Sequence, residues 1–177
     1  RLPSVRALVY GTTPQPFTPP AGAGRLTCNL AVTPCALTDV ADARPIRPDW
    51  VVLRPRLTGI CGSDAKQVLL DFEGDTDSAL SGLCSFPQVL GHEVVADVVE
   101  LGPGATGASD DAGIAVGTRV VLDPWLTCAP RGIDPVCPAC AAGDSSLCWS
   151  FTEGDISTGL HSGVASDATG GFAELLP

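Results

Sequence analysis

The sequence predicts a mainly β fold made of short strands and turns, with few and short helices. Two features carry that expectation. There are 20 glycines and 16 prolines among 177 residues, enough to interrupt any long helix, and the apolar runs between them are short and valine-rich. An apolar fraction of 45% against 17% charged residues argues for a packed core and against disorder. The length suits one domain, which would bury roughly 70% of its unfolded surface, and falls short of two.

Val5–Tyr10, closed by Gly11, is the opening strand. Residues 12–24, rich in proline, threonine and glycine, form a loop, and a second strand is expected over Leu26–Val32, ended by Pro34. Trp50–Ile60 is the clearest early strand, with Arg54 and Arg56 alternating against Leu53 and Leu57. Pro55 inside it calls for an edge position or a bulge, because proline donates no ladder hydrogen bond. After Gly59 and Gly62, Ser63 and Asp64 suit the start of a short helix running to about Leu70. Residues 71–85 read as an acidic surface loop, and Val89–Leu101 as one long, mostly buried strand stopped by Gly102 and Pro103. Arg119–Leu122 and Phe172–Leu176 complete the strands, and no repeat or heptad is present.

Ten basic against 20 acidic residues give a net charge of −10, which excludes a phosphate-binding surface and makes nucleic acid an unsuitable partner. No apolar run is long enough for a membrane span, and the N-terminus carries no signal-peptide pattern. The chain contains no methionine and starts at Arg1, so it is expected to be a processed or trimmed piece of a longer protein. Gly102-Pro103-Gly104-Ala105-Thr106-Gly107 satisfies the dinucleotide pattern G-x-G-x-x-G, with Asp123 near the place of a ribose-binding acid. That pattern holds pyrophosphate only where a helix N-terminus follows. Here Ala108–Gly113 leads to another strand instead, so no nucleotide-binding βαβ unit is expected.

Eight cysteines raise the choice between disulfides, metal and core thiols. Cys128, Cys137, Cys140 and Cys148 follow the spacing C-x8-C-x2-C-x7-C. A C-x2-C pair brings two thiolates to one ion from a tight turn, and two further thiolates close a tetrahedron, the arrangement of structural zinc. Pro135, Pro138 and Gly143 supply the turns. A redox C-x-x-C pair or two disulfides are the competing readings, and the redox pair lacks its usual βαβ setting. A second group, Cys61, Ser63, Asp64, His92 and Glu93, gathers around the end of one strand and the start of another. Taken singly, Cys61 and His92 are each ordinary core residues.

Together the pieces resemble the catalytic domain of the zinc-containing alcohol dehydrogenases of the medium-chain dehydrogenase/reductase superfamily. The matching segments are TGICGSD at 58–64, LGHEVVADVVELG at 90–102, GTRVV at 117–121, the four-cysteine lobe at 128–148 and GGFAE at 170–174. The resemblance implies a GroES-like, partly open β-barrel over residues 1–177, with the zinc lobe at about 125–150. It implies a structural zinc on Cys128, Cys137, Cys140 and Cys148. A catalytic zinc would sit on Cys61, His92 and either Glu93 or a ligand beyond Pro177, with an open position for water or substrate.

On the same resemblance Asp64 would fix the tautomer of His92, and Ser63 would pass the alcohol proton outward or cap the helix. Where relatives carry a relay histidine this chain has Lys66, its only lysine, for which an exposed position is the plainer reading. Cys137 follows Cys128 by nine positions where the family spacing is three, an insertion that casts doubt on Cys128. His161 is placed near the substrate entrance, with a solvent-facing role as the alternative, and Trp125 is a pocket or core residue. Cys28, Cys35 and Cys84 are left as core thiols. The implied reaction is oxidation of an alcohol or polyol to a carbonyl, with hydride transfer to NAD or NADP on a Rossmann domain that this chain lacks. These residues alone would then bind zinc without turning over alcohol. The implied setting is a cytoplasmic enzyme with a small-molecule substrate and a homo-oligomeric intact form. The competing class is a non-enzymatic zinc module used for binding or assembly, which would need only the four-cysteine site.

Overall fold

The computed structural model describes residues 4–72, 82–105 and 113–177. Among them, β1 (Ser4–Tyr10) runs between β2 (Cys35–Ala41) and β4 (Gln88–Val89). In a second sheet β5 (Glu93–Leu101) runs between β3 (Val51–Gly59) and β6 (Arg119–Val121). All pairings are antiparallel, and the two sheets do not close into a full barrel. The helices are short: α1 (Arg25–Asn29), α2 (Gly62–Val68) and α3 (Pro138–Ala141), followed by a 3-10 turn at Ser145–Leu147. The mainly β expectation therefore holds.

The expected strand over Leu26–Val32 does not form. That segment is α1 and the turn after it, with Cys28, Val32 and Thr33 donating back to Gly24 and Asn29. It docks on the end of α2: the Asn29 amide donates to Leu69 O at 2.8 Å, the Thr33 hydroxyl donates to Val68 O, and Arg25 meets Asp71 at 2.7 Å. The strand lies after Pro34 instead, where β2 pairs residue for residue with β1 from Tyr10↔Cys35 to Ser4↔Ala41. A partner edge, rather than local apolarity, decides which segment becomes the strand.

The long strand over Val89–Leu101 is broken in two at Leu90-Gly91-His92, where Gly91 takes φ +91°. β5 also buries one face only: Val94, Ala96 and Val98 are closed off, while Glu93 is exposed and Val95, Asp97 and Val99 are half-buried. Pro55 sits at a register shift between Pro55 and Leu57, as its missing N–H requires. Phe172–Leu176 is not a strand of either sheet, because it bonds to both. Leu8 N donates to Phe172 O and Glu174 N to Arg6 O in one sheet, and Leu53 and Leu176 exchange bonds in the other. This segment stitches the sheets together and places Leu176 in the core with Leu53, Val94, Ala96 and Val98.

Gly102 lies so close to the Pro48 and Trp50 carbonyls that a Cβ would collide with them. It also donates to Trp50 O at 2.8 Å, so the described part of the glycine pattern is a strand-ending turn. Its remainder, 106–107, the following 108–112 and residues 73–81 of the acidic loop lie outside the described residues. Cys35 is buried beside Tyr10 and Leu90 and Cys84 is half-buried, as core thiols should be. Cys28 departs from that expectation: it is exposed, because α1 lies on the surface.

Candidate metal centres and cavity

The loop after Trp125 brings Cys128, Cys137, Cys140 and Cys148 together, with all four sulfurs within 4.8 Å of one another. Cys137 is the N-cap of α3, Pro138 starts that helix, and Cys140 lies one turn on. Cys148 Sγ lies 3.6 Å from Cys128 Sγ. A disulfide would need about 2.05 Å, whereas a tetrahedron with Zn–S of ~2.3 Å puts its sulfurs about 3.8 Å apart. The donor set therefore fits a closed zinc site. Backbone N–H groups already favour negative sulfur there: Cys137 N donates to Cys128 Sγ at 3.3 Å and Ser150 N to Cys148 Sγ at 3.4 Å. The Cys140 and Trp149 amides pull the Cys137 thiol below its ordinary value, while burial pushes Cys148 up. Despite the insertion that precedes Cys137, Cys128 belongs to the cluster and is fully buried.

Cys61, His92 and Glu93 form the second group, again with one donor atom each within 4.8 Å. Cys61 is the N-cap of α2, two residues past the end of β3, and Glu93 opens β5 with His92 just before it; β5 is paired with β3 at Gly59↔Glu93. A Cβ on Gly59 would collide with the Glu93 carboxylate, so glycine is what lets Glu93 fold toward Cys61. Asp64, 4% exposed, ties the two ligand loops: it accepts from Cys61 N at 3.0 Å and from Gly91 N at 3.3 Å. Its Oδ1 stands 3.7 Å from His92 Nδ1, beyond hydrogen-bond length, and that nitrogen is buried without a partner among the described residues. Three mixed donors with an orphaned imidazole nitrogen fit an open metal site.

An open cavity of about 520 Å³ reaches this site through Ser63 and His161, and is lined also by Lys66, Gln67 and apolar groups that include Phe86 and Leu160. Ser63 lies in the first turn of α2 facing this space; it is not the cap, since Cys61 occupies that position. Lys66 is exposed at the cavity edge. His161 packs against His92 with ring centroids 4.5 Å apart, so it belongs to the site and not to a solvent loop. Its Nδ1–H donates to Ser162 O at 2.7 Å, and burial pushes its pKa down, which leaves Nε2 as a neutral acceptor. Trp125 meets His161 edge-on and packs on Phe151, backing the histidine from the lobe's core instead of lining the cavity.

The model of the alcohol dehydrogenase GroES-like domain matches residues 47–176. The chain belongs to that family. Scyllo-inosose 3-dehydrogenase of Thermotoga maritima is 31% identical to this alcohol dehydrogenase GroES-like domain over 115 residues, 65% of the chain and 27% of that relative. Two solved structures share the fold at TM-score 0.59. One is a protein of Sinorhizobium meliloti 1021 bound to NADP, at 24% identity over 99% of this chain and 36% of its own. The other is a cobalt- and zinc-bound thermostable alcohol dehydrogenase of Pyrobaculum aerophilum, at 22% identity over 98% and 38%. The GroES-like domain thus spans about a quarter of the curated relative it matches.

One residue of the domain escaped sequence reasoning. Arg131, inside the insertion between Cys128 and Cys137, is 0% exposed. Nε donates to Leu126 O, one terminal nitrogen to Glu153 O and Ile156 O, and the other to Ser157 O and Gly159 O, over 2.6–3.2 Å. Nothing in the sequence separates this arginine from the surface arginines, because its acceptors lie 5 to 28 positions away on backbone carbonyls.

Proposed function

We propose that this domain is the catalytic domain of a zinc-dependent alcohol or polyol dehydrogenase, which oxidises an alcohol to a carbonyl with hydride transfer to NAD or NADP. The observation that carries the reading is the pair of distinct donor groups: four closed cysteines, and Cys61, His92 and Glu93 beside a cavity. An assembly module would need only the first. Zinc bound at the second group supplies a Lewis acid that lowers the pKa of an alcohol hydroxyl.

The chain's own residues do the rest. Cys61 and His92 hold the metal, with Glu93 as third donor. Asp64 keeps their two loops in register through the Cys61 and Gly91 amides. Ser63 takes the alcohol proton and passes it toward solvent along the Lys66 edge of the cavity. Neutral His161 accepts a hydrogen bond from a substrate hydroxyl through Nε2. The apolar wall gives the substrate's carbon skeleton a surface to pack on. The nicotinamide cofactor binds on a unit outside these 177 residues, and the substrate is a small alcohol or its carbonyl. No described helix is long and apolar enough to cross a membrane. Metal-committed thiols suit a reducing, cytoplasmic compartment.

Elemental analysis tests the reading. About two zinc ions per chain are expected, with Cys61→Ser and Cys140→Ser each removing a different one. One zinc per chain, unchanged by Cys61→Ser, would favour the module.

A further inference from the structure

The Arg131 guanidinium has five N–H donors, and all five meet backbone carbonyls. Four of those acceptors, from Glu153, Ile156, Ser157 and Gly159, belong to one loop that otherwise has no sheet to hold it. Asp155 N returns a bond to Arg131 O at 3.0 Å, so the backbone of Arg131 grips the same loop. The loop leads directly into Leu160 and His161, which line the cavity. Leu160 N also donates to Leu83 O, another cavity residue, at 3.0 Å.

Satisfied donors do not cancel a buried charge. Among the described residues no carboxylate oxygen lies within ion-pair distance of Arg131. Asp167 is the foremost negative group acting on it through space, ahead of the Cys148 and Cys128 sulfurs, which are negative only as thiolates. Four thiolates around a divalent ion would carry a net charge of −2 by formal count, so a loaded lobe would add to Asp167 in offsetting the buried guanidinium.

We propose that Arg131 is a positioning residue: anchored beside the four-cysteine site, it locks the 153–159 loop and thereby sets Leu160 and His161 against the cavity. The lobe and the cavity wall then form one unit, and the insertion between Cys128 and Cys137 exists to deliver this guanidinium.

Amide hydrogen exchange on the zinc-loaded chain, with zinc counted in each sample, tests it on Arg131→Met and Arg131→Lys. In Arg131→Met the amides of Asp155, Gly159 and Leu160 are expected to exchange about tenfold faster or more, the scale of a lost charged hydrogen bond. Those of Gly170 to Phe172, bonded to the Val89–Gly91 turn, should keep their rates. Arg131→Lys restores charge but only three donors, so it should retain the lobe's zinc while the same loop exchanges at an intermediate rate. Unchanged exchange at Gly159 and Leu160 in Arg131→Met would overturn the proposal, as would equal acceleration at 170–172. If Arg131→Met fails to fold, Arg131→Lys decides, and wild-type exchange throughout 153–161 in that variant is the overturning result.

Discussion

Gly170→Ala probes the joint that carries His92. Gly170 N donates to Val89 O at 2.7 Å, Gly171 N to Gly91 O at 2.7 Å and Phe172 N to Leu90 O at 3.0 Å. A Cβ on Gly170 would run into the Gly91 and Leu90 carbonyl oxygens, which are backbone and cannot swing aside. Losing two or three of these bonds costs ~1 kcal/mol each, and the overpacking adds ~1–3 kcal/mol. The sum is roughly 3–6 kcal/mol. At ~2–4 °C per kcal/mol for a domain of this size, the melting midpoint should fall by roughly 6–24 °C. The displaced turn holds His92, so the zinc bound with Cys61 should be lost while the four-cysteine zinc stays. Calorimetry with zinc counting reads both effects. Gly62→Ala is the control: its Cβ meets nothing within 4 Å and falls in the first turn of α2, so it should be neutral or slightly stabilising. A Gly170→Ala protein that melts within about 2 °C of wild type, on the same size scaling, and keeps both zinc ions would refute the wedge argument.

Two further outcomes follow from the geometry. Asp64→Asn turns one acceptor into an N–H₂ group facing a backbone N–H. It should cost ~2–3 kcal/mol and weaken zinc retention at Cys61 and His92 in a chelator competition. Retention equal to wild type would show that Asp64 does not tie the two loops. Asp97 is held down to about 2, first by its hydrogen bonds from Arg119 and then by those from Arg56. A lowered carboxylate pKa adds stability that is complete above the unfolded value of ~3.9 and is lost as pH falls toward the folded one. Denaturant titrations should therefore show stability falling between about pH 4 and pH 2, with a shallower fall in Asp97→Asn. An identical slope in both proteins would remove the triad from the acid response.

The local pattern was enough for the chemistry's raw materials. C-x2-C in a proline-rich turn specifies where two thiolates sit, because both lie within one helical turn of each other. The pairing of Gly59 with Glu93 was not legible there, because neither run shows which edge it meets. Nor was the split of Val89–Leu101, since Gly91 looks like any strand glycine until Phe172 and Thr58 crowd it. Leu26–Val32 failed for a related reason: polar contacts from Asn29, Thr33 and Arg25 dock it on the end of α2, and only β2 finds the free edge of β1.

What the sequence determined by itself was the mainly β class and the C-x2-C pair with Cys148 close behind it, because ligand spacing and turn residues act over a few positions. The Cys61, His92 and Glu93 set came from the resemblance to the zinc-containing alcohol dehydrogenases. Only the tertiary structure decided that Cys128 joins its cluster across the insertion, that Asp64 reaches Gly91, and that His161 lies on His92. It also revealed Arg131 at the centre of the lobe. Those contacts join distant positions, and for Asp64 and Arg131 the partners are backbone amides and carbonyls, which carry no mark of residue type.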